Sequence, residues 1–150
     1  MRQNKTIQEN PETEEDRKKR EDYAEFCKYL DKYERAFDIA RKMKERGQIQ
    51  RLEKFSESMA RQIEALPRDL DSIRGSYGPM FWILAGKEED AKRVVPGYVS
   101  LCPHVPYVHK VSVNWMMSEA KMNLEDWGFP EYWAKELADY HKNHPQGEAR

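Results

Sequence analysis

Tyr23, Phe26, Leu30, Tyr33, Phe37 and Ala40 follow one another at spacings of 3, 4, 3, 4 and 3, and Met43 adds one further step of three. That alternation is the heptad pattern of a helix packing along a narrow seam; a strand would need period two. The pattern predicts a helix over about 13–46. Asn10-Pro11 or Thr13 can cap its start, and Glu14, Glu15 and Asp16 place negative charge at the positive end of the helix dipole. Each of these acids has a base four residues on, in Lys18, Lys19 and Arg20. Gly47 stands where a C-terminal cap belongs, behind Lys44 and Arg46.

A second stripe follows almost at once. Leu52, Phe55, Met59, Ile63, Leu66, Leu70 and Ile73 keep helical spacing and predict a helix over about 49–73, kinked or restarted at Leu66–Pro67. So short a connection makes the two helices antiparallel neighbours, a hairpin spanning 13–75. At about 1.5 Å per residue the first is about 50 Å long and the second about 37 Å, so something else must cover the excess of the first.

Composition shifts near Gly75. Residues 1–75 hold 18 Lys+Arg and 17 Asp+Glu, against 8 and 10 in residues 76–150, while all four tryptophans and six of the eight prolines lie in the later part. The later part reads as a compact, turn-rich, aromatic lobe over 76–145 with helices between about 79 and 143. SYGP at 76–79 is expected to turn, Pro96-Gly97 to stop a short helix beginning near 87, and Asn123 to open another turn. Residues 98–113 are expected to hold a short extended segment, although Val108, Val111 and Trp115 also keep helical spacing. A last helix opens at Phe129-Pro130 and ends at Asn143. Residues 1–12 and 146–150 are expected to be tails, the first disordered. The fold class is all-α.

Several function classes drop out. No apolar run approaches the roughly 18 residues of a membrane span. The polar first 20 residues show no secretory leader, and two cysteines, Cys27 and Cys102, cannot build a disulfide framework, so the expected setting is cytoplasmic. A formal net charge of -1 removes any whole-chain electrostatic attraction to nucleic acid. No Gly-x-Gly-x-x-Gly occurs, and AGKE at 85–88 fails as a phosphate loop because Phe81 and Glu88 replace its required glycine and hydroxyl.

Three constellations remain. Cys102, His104 and His109 are the donor types that zinc or iron would use, but they lack the second half of a four-ligand set unless His141 and His144 fold back to complete it. The same residues could form a thiolate–imidazole pair. Trp115, Trp127, Tyr132 and Trp133 are either the packing mass of the lobe or an exposed protein-binding surface. Arg41, Lys42, Lys44 and Arg51 cluster around the hairpin tip, where a phosphate backbone could rest, although the same run also suits a solvated helix face.

The expected function is a non-enzymatic helical interaction protein, an adaptor, regulator or assembly subunit. It would bind another protein through the hairpin seam or the aromatic lobe. A two-helix hairpin cannot bury a full core alone, so it needs the lobe or a second copy, the latter giving a homodimeric four-helix arrangement. The alternatives are a small metal-binding protein or metal-dependent enzyme using Cys102, His104 and His109, and a nucleic-acid accessory protein using the basic tip.

Overall fold

In a computed structural model, residues 11–67, 70–99 and 109–145 are described, with side chains left aside at 95–99 and 109–112. Among them lie six helices and no strand: α1 (Glu14–Glu45), α2 (Ile49–Glu64), α3 (Asp71–Leu84), α4 (Glu88–Val99), α5 (His109–Asp126) and α6 (Trp133–Asn143).

The first helix begins and ends as its sequence dictates. Thr13 Oγ1 accepts the backbone N–H of Asp16 at 3.0 Å, and the three acids occupy the first turn. Of the three expected acid–base pairs only Glu15–Lys19 forms, at 3.8 Å. Arg17 takes Glu14, and Arg20 reaches back to Glu12 at 2.8 Å. Fully solvated pairs of this kind hold no fixed partner, which is why spacing alone does not select among them. At the other end Gly47 lies at φ 73°, the Gly47 N–H donates to Lys44 O and the Gln48 N–H to Met43 O. This double bond satisfies two carbonyls that the helix end would otherwise orphan. Gly86 closes α3 in the same way at φ 78°, and there a Cβ would lie 3.1 Å from both a Glu53 carboxylate oxygen and Leu137 Cδ1.

The second stripe is divided between two helices. α2 ends at Glu64, because Pro67 has no N–H to continue the ladder and forces Leu66 out of the helical region. Leu70 and Ile73 therefore belong to α3 and its approach.

The later part corrects several local expectations. The SYGP segment at 76–79 does not turn: Pro79 sits inside α3, and Gly78 to Leu84 are all buried. Losing one backbone bond at a proline costs about 3 kcal/mol, whereas each large apolar side chain taken out of water returns about 1.5–3 kcal/mol. Burial wins. α4 likewise runs through Pro96-Gly97 to Val99, and Asn123 lies within α5. The extended segment proposed for 98–113 is helix at 98–99 and again at 109–113, and its remainder lies outside the described residues. The proposed tails, apart from Pro11 and Glu12, lie outside them too.

α3 is the central element, packed against α2, α4 and α5 and touching α1 and α6. It is hydrophobic all round from Met80 to Leu84, the pattern of a helix surrounded by others. Tyr33, Phe37 and Ala40 of the α1 seam are buried, and the side chains that cover Phe37 come from the later part. The Phe81 ring stacks on it at 4.1 Å, Trp127 stacks at 5.3 Å, and Tyr77 meets it edge-on at 5.3 Å. From Tyr33 to Ala40 the seam is thus covered within one chain. The first twelve residues of α1 stay exposed, Tyr23 by 68%, and burial begins at Phe26.

Candidate functional site

The four aromatic candidates separate into core and surface. Trp133 is buried, its Nε1–H donating to the Leu84 carbonyl at 3.3 Å, and its ring meets Phe129 edge-on. Trp127 is half-buried against Phe37. Trp115 and Tyr132 are each 63% exposed.

α5 explains where Trp115 points. Met117, Ala120 and Leu124 form its buried stripe, and Val113, Met116 and Trp127 pack at the edges of that stripe. At about 100° per residue, Trp115 and Met122 fall together on the opposite side, two turns and about 10 Å apart. Met122 is 54% exposed. Two large apolar side chains therefore stand in line on the outer face of a helix whose inner face is already covered. Met122 was not singled out from the sequence. The signal that would have found it is the step of seven from Trp115, once the inward stripe is anchored on Leu124.

The basic tip is partly neutralised. Arg41 and Lys42 both pair with Asp38, Lys42 at 3.4 Å. Lys44 turns toward α6, its Nζ 5.5 Å from the centre of the Phe129 ring, and Arg51 is exposed on α2. Of the metal-ligand candidates, Cys102 and His104 lie outside the described residues, and so does the side chain of His109. His141 and His144 hold other partners: His141 Nε2 lies 3.0 Å from both carboxylate oxygens of Glu53, tying α6 to α2, and His144 stacks on Tyr140 at 4.2 Å. Among the described residues no group of three or more His, Cys, Asp or Glu side chains is gathered as a metal site.

Among the described residues, two of the hollows lie between helices. The larger, about 650 Å³, runs beside α6 and is lined by Lys44, Glu125, Phe129, Trp133, Glu136 and Tyr140 among others. The other, about 390 Å³, lies where α1, α3 and α5 meet. Phe26, Leu30, Ile73, Met80 and Trp127 make its apolar wall, and Glu34, Tyr77 and Asp126 are its ionisable groups. The Tyr77 hydroxyl donates to Glu34 Oε2 at 3.1 Å. Burial, then the Glu34 charge and that hydrogen bond, push the Tyr77 hydroxyl up to about 12.

Elsewhere polar groups serve the fold. The Trp82 Nε1–H donates to Glu64 Oε2 at 2.6 Å, and Arg61 and Arg93 lie 5.4 and 5.7 Å from the same ring. This buried tryptophan is held by an acceptor at its edge and cations against its π-system.

No family model, curated protein or solved structure matches the chain. Among the described residues no helix is long and apolar enough to cross a membrane.

Proposed function

We propose that this is a non-enzymatic helical interaction protein that docks another protein on the outer face of α5. The observation that carries this reading is the exposed pair Trp115 and Met122, aligned on one helix face opposite a fully used inner face. Leaving a tryptophan and a methionine in water forgoes the free energy that burial would supply, and such residues anchor interfaces out of proportion to their number. Two anchors seven residues apart are the pattern with which a helix enters an apolar groove. The seam below Tyr33 is spent inside the chain, so docking shifts from the hairpin, where the heptads suggest it, to the lobe. The free thiol of Cys27 accords with a cytoplasmic setting for this reading.

The test compares baits carrying Trp115→Ala, Met122→Ala or both changes with the unaltered chain and with Lys18→Ala as a surface control. All are expected to melt alike, with stability within about 0.5 kcal/mol, since neither side chain supports the core. A partner retained by the unaltered chain and by the control is expected to be lost at least about tenfold by the double variant. Retention of the same proteins by all baits, or of none by the unaltered chain, contradicts the reading.

A further inference from the structure

The hollow between α1, α3 and α5 has a chemical character that the docking face does not account for. Its wall is apolar, and it carries two carboxylates, Glu34 and Asp126, with no lysine, arginine or histidine anywhere on its lining. Neither carboxylate has an ion-pair partner among the described residues. Glu34 uses one oxygen, Oε2, to accept from Tyr77, and among the described residues Oε1 accepts no hydrogen bond.

Each class of occupant can be weighed against this lining. An anion would meet two like charges. A wholly apolar molecule would screen the Glu34 carboxylate from water without replacing its hydrogen bonds. A cation carried on an apolar body satisfies both features at once, giving charge-assisted hydrogen bonds to Glu34 or Asp126 and contact with the Trp127 ring. Ser72, Ser76 and Asn123 add neutral polar groups on the same wall. The volume of about 390 Å³ falls in the range of about 300–1,000 Å³ typical of small-molecule sites.

We propose that this cavity binds a small arylalkylamine, with the ammonium held between Glu34 and Asp126 and the ring against Phe26, Leu30 and Trp127. Tyr77 is a positioning residue: its hydroxyl fixes one carboxylate oxygen of Glu34 and leaves the other for the ligand. Asp126 stands one turn beyond Met122 on α5, whereas Trp115 lies three turns away, so Trp115 variants distinguish this site from the docking face.

The experiment is a calorimetric titration of the full chain with 2-phenylethylamine, 2-phenylethanol and 3-phenylpropanoate, which share a body and differ in charge. The amine is expected to bind one per chain and at least about tenfold tighter than the alcohol, with no heat from the acid, the margin expected of a charge-assisted hydrogen bond. Glu34→Gln and Asp126→Asn are each expected to weaken the amine about tenfold, while Trp115→Ala leaves it unchanged. Asp126 is exposed at the end of α5, so Asp126→Asn keeps the test valid should Glu34→Gln fold poorly. Equal binding of alcohol and amine, binding of the acid, or indifference to Asp126→Asn overturns the assignment. So does binding of a lysine-bearing peptide without binding of the free amine, which would make the cavity part of a protein interface.

Discussion

Phe37→Ala is expected to cost about 3–5 kcal/mol, the range for emptying a buried aromatic site. Phe37 is fully buried, and its ring is shared by Phe81, Trp127 and Tyr77, which come from two different parts of the later chain. Removing it leaves three rings facing a void that rigid helices cannot collapse to fill. Since single domains are stable by only about 5–15 kcal/mol, the variant should stand near the edge of folding at room temperature. Urea denaturation followed by circular dichroism measures the change. Tyr23→Ala, on the exposed part of the same stripe, should shift stability by less than about 0.5 kcal/mol. A loss below about 1 kcal/mol at Phe37 would mean that the later part does not close on α1.

Stability should also fall in strong alkali through Tyr77. An unfolded tyrosine loses its proton near pH 10, whereas in the folded protein burial and the neighbouring Glu34 hold the hydroxyl up to about 12. Below pH 10 the group is protonated in both states and its contribution is fully present. Between pH 10 and about 12 the unfolded chain releases the proton and the folded protein keeps it, so unfolding becomes progressively easier. A shift of this size corresponds to roughly 2 kcal/mol once partial solvent screening is allowed for. Urea midpoints measured from pH 8 to pH 12, taken as the difference between the unaltered chain and Tyr77→Phe, isolate it from the titrating lysines. A difference that stays constant with pH would contradict the burial of Tyr77 against Glu34.

What the sequence revealed follows from where the decisive physics lies. α1 was legible from end to end because a long heptad seam, Thr13 and Gly47 are all local signals that agree. The break at Pro67 was legible as a kink, since a missing N–H acts within one turn. Pro79 was misread for the opposite reason: its local cost is overridden by burial of the helix segment that holds it, which nothing adjacent in sequence reports; the helix α4 also runs through Pro96. α5 was the least legible helix. Its inner face relies on Met117 and Ala120, residues of no strong pattern, so Val108, Val111 and Trp115 look like the core stripe while Trp115 in fact faces outward. The same inversion concealed Met122. The cavity was invisible because Glu34, Ser76 and Asp126 read as ordinary surface polar residues until three helices bring them to one wall.

The fold depends on the aromatic lobe closing over the α1 seam within one chain, and a double-mutant cycle on Phe37 and Trp127 tests this most directly. Phe37→Leu, Trp127→Leu and the combined variant are unfolded in urea and the three losses compared. Rings stacked 5.3 Å apart are expected to show a coupling of about 0.5–1.5 kcal/mol, with the combined loss smaller than the sum of the two. Losses that add, with no coupling, would place the two rings apart and leave the seam uncovered.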